Sequence, residues 1–124
     1  MKKINICGKD VDILYCAATE NGFEVISGKS AFEINFNSQN DLICLSLAAI
    51  MAAYESKPAD KDGNKPQPPV TSQDLMYEAK LTDIAALFMA VLELRAEWYG
   101  IPLVVPKPEV QSDSESEEED KPKN

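Results

Sequence analysis

The chain has 124 residues, with 12 Lys+Arg against 21 Asp+Glu, no histidine, three cysteines and five glycines, and a net charge of −9. The missing histidine removes the usual general base, the usual metal ligand and the side chain that switches charge near neutrality. Scattered glycines give little material for a phosphate-cradling loop, and eleven lysines with one arginine, Arg95, under this excess of acid argue against a duplex nucleic-acid footprint.

The N-terminus reads as a β-hairpin over 3–16. Lys3-Ile-Asn-Ile-Cys7 alternates polar and apolar residues, Val11-Asp-Ile-Leu-Tyr15 does so less cleanly, and Gly8-Lys9-Asp10 lies between them as the turn. A helix follows over about 17–27. Thr19, Phe23 and Ile26 share one face, Gly28 is placed to end it, and Gly22 inside it costs about 1 kcal/mol relative to alanine. Ser30-Ala31-Phe32-Glu33 has the spacing of a capping box.

Ser38 to Asp41 is a second cap signal, opening a helix over about 41–55 in which Leu42 to Tyr54 has Ser46 as its one plainly polar residue. This run is too short for a bilayer, which needs about 20 residues. Residues 56–70 form a flexible loop holding Pro58, Pro66, Pro68 and Pro69. Thr71 and Thr82 then cap helices over about 72–80 and 83–99, and Gly100 and Pro102 stop the second. Ile84 to Leu92 contains no polar residue, and Glu93, Arg95 and Glu97 follow. The fold class is mainly α with a short N-terminal β-hairpin (α+β), as a single domain over 1–105 followed by an acidic tail.

That tail, 106–124, holds seven acids against three lysines, a net of −4. It has almost nothing to bury, so its composition predicts disorder. It reads as a solubilising tail, as an electrostatic decoy for a basic partner, or as a set of serines in an acidic context for phosphorylation.

Two helices without a polar face are the most informative feature. A helix at the surface of a domain this small normally shows one. Two compatible readings follow: alanine-rich packing buries the helices in a compact core, and apolar surface is left for self-association or an apolar partner segment. On the second reading Leu87, Phe88, Val91, Leu92 and Trp98 are the candidate partner-binding residues. Trp98-Tyr99 also fits a packing anchor at a helix end.

Chemistry-bearing motifs mostly fail. Gly28-Lys29-Ser30 matches the end of a phosphate-binding loop, but the earlier glycine of G-x-x-x-x-G-K-[ST] falls on Phe23. A helix stop followed by a new cap explains it better. Cys7, Cys16 and Cys44 match no standard zinc spacing, and with no signal-peptide pattern ahead of them they read as reduced, buried small hydrophobes in a cytosol. No catalytic residue, cofactor or metal site is expected, nor any nucleic-acid or membrane partner. An acidic inhibitor mimicking nucleic acid and a small cytosolic interaction adaptor are the rival readings, with a Cys- or Lys-dependent enzyme behind them.

Met1 to Asp10 with its second strand, and Phe23-Glu-Val-Ile-Ser-Gly-Lys-Ser-Ala-Phe32, resemble two stretches of the small tail assembly chaperones of long-tailed bacteriophages, the siphoviruses and their prophages. The second resembles the family's aromatic-Glu-x-x-Thr-Gly-Lys-Ser stretch, with Ser27 where Thr is usual. An apolar Ala-rich helix, a loop and a last helix ending in Trp complete the likeness, which covers residues 1 to about 99 in organisation. It implies a non-enzymatic protein that binds the tape measure protein, an apolar helical rod, keeps it soluble in the host cytoplasm and is missing from the finished virion. It also implies self-association into a homo-oligomer.

Overall fold

The computed structural model describes residues 1–101; the disorder expected of the acidic tail at 106–124 falls outside the described residues. Two antiparallel strands, β1 (Lys2–Ile6) and β2 (Lys9–Ile13), lead into α1 (Ala17–Ser27), α2 (Gln39–Glu55) and α3 (Leu81–Tyr99). A 3-10 turn at Ala31–Glu33 and a π-turn at Asp74–Glu78 sit in the connections. The architecture is mainly helical with an N-terminal hairpin, as the sequence leads one to expect.

The hairpin turn lies earlier than Gly8-Lys9-Asp10. Ile6 pairs with Lys9, so Cys7 and Gly8 form a two-residue loop, with φ of 55° and 76°. Positive φ at both positions is the primed turn whose twist suits a tight hairpin. Glycine takes it freely, whereas Cys7 adopts a region uncommon for residues with a Cβ. The register puts Ile4, Ile6, Val11 and Ile13 on one face, with Ile6, Val11 and Ile13 fully buried. Lys3 and Asp12 pair across the other face at 2.9 Å.

α2 is the centre of the molecule. Ile43 to Ser46, Ala48 to Ile50 and Ala52 to Tyr54 are all buried, so its missing polar face reflects cover on nearly every side. β2, α1 and α3 all pack on it, while β1 lies on α3. The alanines allow very close approach. The Leu14 amide donates to the Ala49 carbonyl at 3.1 Å, a strand-exit bond into the middle of a helix. Gly22 explains itself here: a Cβ on it would lie 3.2 Å from the Cβ of Ala48.

The Gly28-Lys29-Ser30 stretch holds a corner together. Gly28 ends α1 at φ 74°, and Ser30 caps the 3-10 turn, accepting from the Phe32 amide. The Lys29 ammonium reaches the buried Asp41 carboxylate at 2.6 Å, and the Asn35 amide donates to the same oxygen at 2.9 Å. These two contacts hold the Asp41 carboxyl below the ordinary carboxylate range against the opposing effect of burial. Asp12, gripped by Lys57 at 2.7 Å and by Lys3, is lowered in the same way.

Of the last two helices, the first starts at 72 as expected but stops at Glu78, and the second starts two residues early. Thr71 and Asp74 do form a reciprocal capping box, the Thr71 amide to Asp74 Oδ2 at 2.8 Å and the Asp74 amide to Thr71 Oγ1 at 3.2 Å. The turn they open is a π-turn closed by the Ala79 amide on the Asp74 carbonyl at 2.8 Å. α3 begins at Leu81 with Lys80 in the cap position, so Thr82 is inside the helix and caps nothing. Its other end is a Schellman closure, with Gly100 at φ 73° donating to Glu97 and Ile101 to Ala96.

Two outcomes follow from this packing. Gly22→Leu should cost about 1–3 kcal/mol in urea unfolding, because the added atoms meet α2 where no rearrangement of a flexible neighbour can admit them. Acid should also destabilise the fold. Asp41 and Asp12 have folded pKa values below the unfolded 3.8, so their contribution is complete above that value and is lost as pH falls through the folded ones. Asp41→Asn should lower the urea midpoint at pH 7 and shrink its fall between pH 5 and about pH 2; an unchanged acid limb would contradict the assignment.

Candidate partner-binding site

The five residues expected to face a partner separate into three environments. Leu87 and Val91 are fully buried in the core beside Ile84 and are corrected here to packing residues. Phe88 is half-buried against that core and Leu92 is half-buried. Trp98 is 45% exposed. The uninterrupted apolar run from 84 to 92 carries no polar residue to mark which side turns outward, so sequence alone could not divide it.

Trp98 nevertheless has packing partners. Its ring centroid lies 5.7 Å from that of Tyr15 and 5.1 Å from that of Tyr99, the second pair edge to face. The Glu20 carboxylate on α1 accepts from the Tyr15 hydroxyl at 3.0 Å and from the Tyr99 hydroxyl in a shorter bond. The Arg95 guanidinium lies between two rings, 4.6 Å from Tyr99 and 4.9 Å from Phe36. Burial, reinforced by Glu20, pushes both tyrosine hydroxyls up, so they stay protonated donors. This cluster ties the exit of the hairpin, α1 and the end of α3 together.

Open apolar surface lies elsewhere, beside α2. Ile26 of α1, Leu47, Ile50 and Met51 of α2, and Pro68 and Val70 of the proline-rich loop line a groove of about 600 Å³. A smaller recess of about 220 Å³ continues it past Tyr54, Glu55 and Pro66, sharing Met51 and Pro68. Met51 is the most exposed large apolar side chain of α2, at 44%. The second wall exists because the loop returns to the core: Val70 is buried, and Lys65 Nζ donates to the Glu55 carbonyl at 2.7 Å. Residues 56–70 read as a flexible proline-rich loop, and the signal for its return to the core was Val70, the one large apolar residue among them.

Burial, with Asp74 and Asp83 nearby, pushes the Cys7 thiol up, and burial does the same to Cys44; raised thiols are poor nucleophiles. The three cysteines are unpaired. Among the described residues no three His, Cys, Asp or Glu side chains come together to hold a metal, and no helix is long and apolar enough to cross a membrane. No protein-family model, curated protein or solved structure matches this chain.

Glu20→Ala should cost about 1–3 kcal/mol, since it strands two tyrosine hydroxyls, one of them on the buried Tyr15. Tyr15→Phe in the same background should recover part of that loss, and the emission of Trp98, the chain's one tryptophan, reports the rearrangement.

Proposed function

We propose that this protein is a non-enzymatic phage tail assembly chaperone that binds the apolar helical tape measure protein in the host cytoplasm and keeps it soluble during tail assembly. One observation carries the reading. The flank of α2 offers an open apolar groove between Ile26, Leu47, Met51 and Val70, and a helix with an apolar face is the element that fills such a groove. Phe88, Leu92 and Trp98 add further apolar surface on α3.

The resemblance of residues 1–10 and 23–32 to the chaperone family supports the same partner. So does the charge: an excess of acid keeps a protein with exposed apolar surface in solution. Self-association into a homo-oligomer, as in that family, would cover the groove while the rod is being made.

Co-expression of the full chain with an apolar helical tape-measure fragment tests the proposal. The wild type should hold the fragment in the soluble fraction, and Met51→Asp should weaken binding about tenfold or more, because it sets a charge against an apolar face. Far-UV circular dichroism should show unchanged helix content, Met51 lying outside the core. Removing 106–124 should leave binding intact. If that deletion abolishes binding while Met51→Asp does not, the acidic-mimic reading replaces this one.

A further inference from the structure

The segment between the proline-rich loop and α3 is built from residues that favour something other than what it forms. From Thr71 to Tyr99 the sequence contains neither glycine nor proline. It opens on the reciprocal Thr71–Asp74 box, the signature of a helix start. Yet after an α-turn closed by the Leu75 amide on the Thr71 carbonyl and one π-turn, the chain goes extended at Ala79 and Lys80 with ψ of 140° and 159° and starts again at Leu81. Alanine, lysine and leucine are among the strongest helix formers, so the break lies where local preference opposes it most.

The restart is poorly finished. Lys80 provides no side-chain cap for α3. The amides of Lys80, Leu81, Thr82 and Asp83 find no acceptor among the described residues, and the first α3 bond runs from Ile84 to Lys80. What holds the break is apolar: Leu75 is buried and Ala79 packs half-buried against the core. The other large apolar side chains of the segment gain nothing, Met76, Tyr77 and Leu81 being 57%, 78% and 82% exposed.

We infer that residues 74–82 are a hinge with two backbone states, the broken one of the structure and one in which 72–99 run as a single helix about 40 Å long. The straight state supplies acceptors to the four unpaired amides and gives up the burial of Leu75. It also creates a feature the broken state lacks. On one helix Tyr77, Leu81, Phe88 and Leu92 stand at i, i+4, i+11 and i+15 and form an apolar row about 22 Å long, interrupted between Leu81 and Phe88, where Ile84 stays buried in the core. The half-buried Phe88 and Leu92 become the far end of a seam that the hinge lengthens. A helical partner that covers the row draws the chain into the straight state, because only that state brings Tyr77 into line with Leu81, Phe88 and Leu92.

This equilibrium belongs to the free chain, so its test needs no partner and stands apart from the chaperone reading. Chemical exchange saturation transfer by NMR on the full-length protein should detect a minor species in which the Ala79 and Lys80 Cα shifts move to helical values. Leu81→Pro should abolish it. Proline suits the first position of α3, follows a residue already extended and removes an amide that has no acceptor, but it cannot continue a helix from Lys80. Leu75→Ala should raise the minor population about tenfold or more, since Leu75 packs in only one state. No minor species, or one with disordered-chain shifts at 79–82, overturns the inference. The wild-type spectrum decides this alone if either variant fails to fold.

Discussion

A helix with no polar face must be covered all the way round, and in a chain of this size that requirement on α2 decides where the other elements go. β2, α1 and α3 each take a side of it. Cover this complete requires small side chains at the contacts, which is why Ala48, Ala49, Ala52 and Ala53 lie on α2 and Gly22 on α1. Their small size lets backbone meet backbone, as the Leu14 amide on the Ala49 carbonyl shows. The arrangement has a cost. Ser46, the polar residue of that run, is buried with a hydroxyl that has no partner among the described residues.

Cover fails along one flank, and there the fold uses its irregular segment. The loop from 56 to 70 is too rich in proline to form a helix or a central strand, but Val70 at its end reaches the core. That anchor makes the loop a wall, so Met51 sits in a groove and not on an open face. The aromatic cluster at the end of α3 does the opposite. There Tyr15, Trp98, Tyr99 and Arg95 pack on one another around Glu20, leaving Trp98 partly exposed.

Much of the fold was legible in the sequence because its signals were periodic or chemical. Alternation gave the hairpin, and Gly28 and Gly100 gave the ends of α1 and α3, both confirmed by positive φ. The corner at Lys29 was legible as a stop and a cap, though not as the partner of a buried aspartate twelve residues on. Signals failed where two residues competed for one role. The hairpin turn could use Gly8 at either of its central positions, and pairing in the core selected the one that puts Cys7 at positive φ. Thr82 is a better cap than Lys80 by chemistry, but burial of Leu75 and Ile84 set the boundary. The candidate partner-binding residues were half legible. Apolar surplus is visible in a sequence, whereas the side of a helix that faces outward is decided by neighbours from distant parts of the chain.

The hairpin illustrates that dependence on distant residues. Lys2 on β1 pairs with Glu93 at 2.6 Å, and the amide of Cys7 in its turn donates to Asp83 at 3.2 Å. β1 packs on the last helix of the domain. β1 therefore rests on the last of the described helices, which is made long after it. A two-stranded hairpin is marginal by itself, and closing a loop of some eighty residues precedes any gain from these contacts. During synthesis β2 can settle on α2 as soon as that helix is made, whereas the cover that α3 gives β1 comes only at the end.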